Sequence, residues 1–176
     1  MKKTINHSLL TIYRKSKGVT LVELLIYMAL VAIFIITLTD IFSSTLAVRT
    51  ESEATSAVDE DSRFILARLN YDIARAGSIN IPPQIGQTRS NLRMDISGIT
   101  YEYAENGGNL QLSNDQGTNN INSSETTVSA ISFLRIANSS IPQTRDTVKI
   151  QFTLTSKTQR PQGPESKTFN TTVGLR

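Results

Sequence analysis

The stretch GVTLVELLIYMALVAIFIITLT, residues 18–39, decides the fold of this chain of 176 residues. From Val19 to Thr39 it holds 21 residues with a single charge, the carboxylate of Glu23. A helix of that length spans roughly 31 Å, and the hydrocarbon core of a bilayer is about 30 Å thick. The sequence therefore predicts one membrane-spanning helix over residues 19–40. A carboxylate in such a segment costs free energy, so Glu23 needs a compensating partner.

The charges that precede this helix predict its orientation. The chain has a net charge of +3, but its first 18 residues carry five basic side chains and no acidic one, which leaves −2 for residues 19–176. Cytoplasmic flanks are rich in Lys and Arg, so we expect a cytoplasmic N-terminus and export of the residues from about Asp40 onward. The basic balance belongs to this segment and indicates no direct binding of nucleic acid.

The helix is predicted to continue beyond the membrane. Neither Gly nor Pro occurs between Gly18 and Gly77. Over residues 41–77 apolar side chains recur at spacings of three, four and seven, which predicts an amphipathic helix packed on a soluble domain. The members of this stripe are Ala54, Val58, Ile65, Leu66, Leu69, Ile73 and Ala76.

Residues 78–176 change to the alternating pattern of β-strands. Leu92, Met94 and Ile96 alternate with polar residues, and the turn sequence at residues 106–109 indicates a hairpin. Further alternating or apolar runs cover residues 128–136, 148–154 and 169–175, with a break at Ile141-Pro142. We expect an antiparallel sheet of four to six strands with one face covered by the helix. The polar residues 113–127 are expected to form a mobile loop.

Residues 17–26, KGVTLVELLI, resemble the cleavage and methylation motif of type IV prepilins and the related pseudopilins. The resemblance implies an α+β, pilin-like fold: one long N-terminal helix, transmembrane in its first half and amphipathic in its second, packed on an antiparallel β-sheet head. It implies that prepilin peptidase removes a basic leader, residues 1–18, by cutting between Gly18 and Val19, and then N-methylates Val19. Val at position 19, where Phe is commoner, and the absence of Pro from the apolar helix depart from the usual pattern.

The same resemblance suggests a partner for Glu23. In the family, the carboxylate at this place pairs with the free N-terminal amine of a neighbouring subunit, here the amine of Val19, which exists only after cleavage. A simpler interpretation of an isolated Glu is a carboxylate near the cytoplasmic edge of the membrane that reaches water or protonates.

The function implied by the resemblance is that of a minor pilin or minor pseudopilin. Such a subunit is held in the inner membrane by a single pass and then joins a periplasmic or cell-surface fibre that serves a pilus, type II secretion or DNA uptake. The implied partners are prepilin peptidase, other pilins or pseudopilins, the inner-membrane assembly platform and membrane lipid. Two alternatives are a membrane-anchored extracellular binding module that does not polymerise, and a secreted protein that loses a signal sequence and begins near residue 40.

The sequence indicates no enzymatic site. There is no Cys, and the single histidine, His7, lies in the predicted leader, so we expect no catalytic residue, cofactor or metal. The acidic run of Asp59, Glu60 and Asp61, and the polar residues 114–120, do not have the spacing of a calcium loop. We expect the acidic run to be a solvated helix surface, and Arg68 and Asp72 to form a surface ion pair.

Overall fold

The computed structural model describes residues 18–136 and 146–176. In these residues one helix, α1, extends over Leu21–Arg75 and is followed by nine β-strands. The chain divides into two compact units, one that ends at Ser43 and one that comprises Ser44–Arg176. Residues 1–17 of the predicted leader, with His7 and Lys17, and the break expected at Ile141-Pro142 lie outside the described residues.

The strands form two antiparallel sheets, one of five strands in the order β1-β3-β4-β5-β6 and one of four in the order β2-β7-β8-β9. Their bounds are β1 Ser78–Ile81, β2 Thr88–Arg89, β3 Asn91–Ile96, β4 Ile99–Asn106, β5 Asn109–Asn114, β6 Gly117–Asn120, β7 Thr126–Ile136, β8 Thr147–Ser156 and β9 Ser166–Gly174. The α+β, pilin-like class is confirmed, with a long apolar N-terminal helix followed by antiparallel sheet.

The predicted stripe on α1 forms the helical side of the core. Val58, Ile65, Leu69 and Ile73 are fully buried and belong to one cluster with side chains from both sheets, and Leu66 is half-buried against it. On the sheet side the cluster includes Leu92, Met94, Tyr103, Phe133 and Phe152. Burial of such side chains stabilises the fold by about 1.5–3 kcal/mol each.

The alternating segments form strands as expected, and the turn at residues 106–109 joins β4 to β5. Gly107 and Gly108 have positive φ angles of 59° and 79°, which is the backbone of a two-residue hairpin turn. The expectation of a loop over residues 113–127 is wrong, because Gly117–Asn120 forms β6 and pairs with β5.

The division into two sheets, where the sequence predicted one, depends on the residues between β6 and β7. The buried side chain of Asn122 accepts from the main-chain N–H of Leu110 at 2.9 Å and donates to the carbonyl of Thr126 at 3.0 Å. A register shift follows between Ser129 and Ser132, where Ala130 has a φ of 49°. The Asn122 contacts thus lie where the chain passes from the first sheet to the second, and the register shift lies within β7 of the second sheet.

Candidate functional site

The candidate site lies at the beginning of α1, where Thr20 caps the helix. The main-chain N–H of Glu23 donates to Thr20 Oγ1 at 3.2 Å, and that of Leu24 donates to the Thr20 carbonyl at 3.1 Å. Thr followed three residues later by Glu is the sequence pattern of a capping box. The local sequence therefore fixes Glu23 in the first helical turn.

The Glu23 carboxylate is exposed, and its hydrogen bond from another side chain comes from a neutral group. Tyr27, four residues later on the same face, donates its hydroxyl to Glu23 Oε1 at 3.2 Å. The helix N-terminus also favours a carboxylate in the first turn, by about 0.3–1 kcal/mol. Within residues 18–136 and 146–176 no basic side chain forms an ion pair with Glu23. The contacts of Glu23 within the described residues therefore leave its charge without an ion-pair partner.

Gly18 and Val19 precede the helix. A Cβ atom at Gly18 would meet no described atom within 4 Å apart from its chain neighbours, and Gly18 has no positive φ. Intramolecular packing thus gives no reason for glycine at this position. Val19 is 63% exposed. Both residues are accessible to another molecule.

The first part of α1 exposes apolar surface on every side. All large apolar side chains from Val19 to Val48 are exposed, for example Leu21 at 77% and Phe42 at 65%. Thr37 and Thr39 donate their hydroxyls to main-chain carbonyls one turn earlier, at 3.1 and 2.9 Å, so their polar groups need no water. Among the described elements, α1 is long and apolar enough to cross a membrane.

Two acidic side chains that were expected at the helix surface are buried instead. Asp72 is buried: it accepts from Arg68 Nε at 2.8 Å and from the hydroxyl of Tyr103, so the expectation of a surface ion pair is wrong. Tyr103 itself is fully buried. Its burial and the hydrogen bond to Asp72 both raise the pKa of Tyr103 well above its usual value.

Asp61, in the acidic run, is the second of these buried side chains. It is buried, and its Oδ2 accepts from the main-chain N–H of Ser123 at 3.0 Å, from the Ser123 hydroxyl at 2.9 Å and from the Thr126 hydroxyl. Asp59 pairs with Lys167 Nζ at 3.0 Å, and Glu60 is exposed. In the described part of the chain no group of three or more His, Cys, Asp or Glu side chains could hold a metal ion.

Comparison with known proteins identifies a family motif at the N-terminal side of the chain. Residues 13–39 match the family model described as the prokaryotic N-terminal methylation motif. That segment includes Gly18, Val19 and Glu23. No curated protein and no solved structure matches the chain.

Proposed function

We propose that the chain is a type IV prepilin-like protein and a structural subunit of a pilus-like fibre. The observation that carries the proposal is the methylation motif at residues 13–39, joined to a helix whose apolar side chains are exposed over its whole first half. Apolar surface of that extent is covered by lipid or by other protein chains.

Processing is proposed at the bond between Gly18 and Val19. Nothing in the described fold packs against Gly18. Its lack of a Cβ would let the chain lie extended in the cleft of the peptidase. The peptidase would then methylate Val19. The leader, residues 1–18, would be removed.

Before assembly the proposed state is a single-pass inner-membrane protein with a cytoplasmic N-terminus and an exported head. The basic residues of the leader favour that orientation. Residues 19–40 would span the membrane, residues 41–77 would continue the helix, and residues 78–176 would form the head. After assembly the apolar helix would be buried among the helices of other pilins, with an inner-membrane platform as a further partner.

Glu23 is proposed to pair with the Val19 amine of a neighbouring subunit. Capping and the Tyr27 hydroxyl hold the carboxylate in place but do not neutralise it. In lipid or in the apolar core of a fibre an uncompensated carboxylate costs about 2.5–3.5 kcal/mol on insertion scales. The amine that would compensate it is released by cleavage, which would couple processing to assembly.

We propose a minor subunit without enzymatic activity. The motif belongs to structural subunits, and the buried carboxylates Asp61 and Asp72 are engaged in holding the helix to the sheets. The fibre would serve a pilus, a type II secretion system or a DNA-uptake system, which share this N-terminus.

Mass spectrometry of the mature protein tests the proposal. In cells that contain prepilin peptidase, the expected product begins at methylated Val19. A product that retains Met1 would contradict the proposal and favour the anchored binding module. A soluble product that begins near residue 40 would contradict it and favour the secreted protein.

A further inference from the structure

The apolar part of α1 holds two titratable side chains between residues 19 and 39, Glu23 and Tyr27. They lie four residues apart on one face of the helix, and the hydroxyl of Tyr27 donates to Glu23 Oε1 at 3.2 Å. The large side chains around them, such as Val22, Leu24 and Ile26, are apolar and exposed. The pair is therefore a polar site on a surface that is otherwise built for lipid or for other apolar helices.

Tyr27 lies at a depth where its hydroxyl would meet no water. It follows Val19 by eight residues, which is about 12 Å along the helix at about 1.5 Å per residue. If residues 19–40 cross the bilayer as proposed, this place is close to the middle of a hydrocarbon core about 30 Å thick. Tyrosine in membrane proteins is enriched at the interfaces, where its hydroxyl reaches water. Near the middle of the bilayer the hydroxyl needs an acceptor within the protein.

The helix supplies that acceptor through a side chain. The short side chains of Thr37 and Thr39 donate to main-chain carbonyls four residues earlier and need no other partner. The hydroxyl of tyrosine stands at the far end of a rigid ring, away from the carbonyls of its own turn. Side chains of a helix lean toward its N-terminus, which brings the hydroxyl of Tyr27 onto Glu23. Donor and acceptor thus satisfy each other on one helix.

The hydrogen bond occupies one of the two carboxylate oxygens. Within residues 18–136 and 146–176, Oε1 of Glu23 accepts from Tyr27, and Oε2 accepts no hydrogen bond. A carboxylate accepts several hydrogen bonds at once, so a bound hydroxyl does not compete with a cation at the other oxygen. The geometry leaves Glu23 oriented by one partner and open to a second.

We propose that Tyr27 is a positioning residue for the pairing of Glu23 with a neighbouring subunit. Its hydroxyl holds Oε1 in the membrane before assembly and leaves Oε2 for the amine of Val19 on that subunit. The inference rests on the proposed function. An oriented carboxylate has less conformational freedom to lose when the amine arrives, which favours the ion pair. Without the hydroxyl the carboxylate would lose its donor in an apolar environment.

Tyr27→Phe in the full-length chain tests this role, in cells that contain prepilin peptidase and the assembly machinery. Phenylalanine keeps the ring and is more apolar, so insertion into the membrane is not weakened. We expect processing to methylated Val19 to continue and incorporation into fibre to fall about three- to tenfold, as the loss of one net hydrogen bond implies. Immunoblots of sheared fibre and membrane fractions measure incorporation, and mass spectrometry measures processing.

Tyr71→Phe is the matched control, because it removes a hydroxyl from the same helix outside the apolar part. Tyr71 is 57% exposed and contacts Arg75 through its ring, which phenylalanine keeps. Its incorporation should equal that of the parent chain. An equal fall in both variants would overturn the proposal, since the loss would not depend on the place of the hydroxyl.

A double-mutant cycle with Glu23→Gln separates positioning from any other role of the hydroxyl. If Tyr27 acts through the charge of Glu23, Tyr27→Phe should change the lower incorporation of Glu23→Gln by less than about 1.5-fold. A further fall as large as in the parent chain would mean that the hydroxyl acts on another group, and would overturn the proposal.

The outcomes separate this inference from the proposed function. Normal incorporation of Tyr27→Phe, in cells where the parent chain is processed and assembled, would overturn the inference and leave the function standing. Loss of processing in Tyr27→Phe would also overturn it, since the hydroxyl would then act at the peptidase step. A parent chain that stays unprocessed would contradict the proposed function itself.

Discussion

The helix α1 has two parts that differ in the burial of their apolar side chains. The first part ends at Ser43, and the second begins at Ala54. In the first part every large apolar side chain is exposed, whereas in the second Val58, Ile65, Leu69 and Ile73 are buried by the sheets of the same chain. A substitution in the second part therefore acts on folding. Under the proposed function, the same substitution in the first part would act on contacts with lipid or with other chains.

The carboxylates of the two parts differ in the same way. Glu23 accepts one hydrogen bond from a side chain, the Tyr27 hydroxyl, and is exposed. Asp61 accepts three hydrogen bonds from Ser123 and Thr126, and Asp72 binds both Arg68 and Tyr103. A buried carboxylate needs such partners. The second part supplies them from the head, whereas among the described residues no basic side chain pairs with Glu23.

The largest effect is expected from Ile65→Ala. Ile65 is fully buried in the core, so the cavity should lower the free energy of unfolding of the head by about 2–5 kcal/mol. Urea unfolding of the full chain in detergent, followed by circular dichroism, measures the change. Ile33→Ala is the matched control, because Ile33 is exposed in the first part. An equal loss of head stability in both variants would remove the distinction between the two parts.

Glu23→Gln tests the first part without changing its shape. Glutamine at this place keeps the helical cap and an oxygen that accepts from Tyr27, so only the charge is lost. We expect cleavage to continue and incorporation into fibre to fall about tenfold or more, because the neighbour's amine loses its partner. Quantitative immunoblots of sheared fibre and membrane fractions measure both steps. Glu23→Asp, which keeps the charge, is the control, and normal incorporation of the Gln variant would refute the pairing.

Asp61→Ala tests the corresponding carboxylate in the second part. Loss of the hydrogen bonds to Ser123 and Thr126 should lower the stability of the head by about 1.5–3 kcal/mol. Glu60→Ala, one residue earlier and exposed, should change it by less than about 0.5 kcal/mol. Urea unfolding of both variants gives the comparison. If the two variants were equally stable, Asp61 would not hold the helix to the loop before β7.

The features that the sequence predicted are those that depend on neighbouring residues. The stripe from Val58 to Ile73 and the alternation in β3 repeat with the periods of a helix and a strand, and the N-terminal motif is a contiguous run. The features that it did not predict depend on contacts across long separations. Asp61 meets Thr126 65 residues later, and Asp72 meets Tyr103 31 residues later.

The division into two sheets had the same cause. At the passage between the sheets, the side chain of Asn122 bonds to Leu110, which lies 12 residues earlier. No periodicity indicates that contact, because a single polar residue between two strands has the appearance of a loop. At the candidate site the motif indicates Gly18, Val19 and Glu23, and the spacing of Thr20 and Glu23 is a local signal for the capping by Thr20. The contact of Glu23 with Tyr27 was missed as well.

The smallest effect is expected from Tyr103→Phe, which removes one hydrogen bond from Asp72 and leaves the bond from Arg68. The stability of the head should fall by about 1–1.5 kcal/mol near neutral pH. In the folded chain the pKa of Tyr103 lies above its usual value of 10.0, mainly through burial and then through the bond to Asp72. Folding therefore favours the protonated phenol, and that contribution is complete below pH 10 and is lost as the pH rises further, when the unfolded chain releases the proton. Urea unfolding between pH 8 and pH 11 should show a steeper loss of stability in the parent chain than in Tyr103→Phe. Parallel curves would mean that Tyr103 ionises as freely in the folded head as in the unfolded chain. The buried hydrogen bond from Tyr103 to Asp72 would then stabilise the head no more than the exposed bond from Tyr27 to Glu23 stabilises the first part of α1.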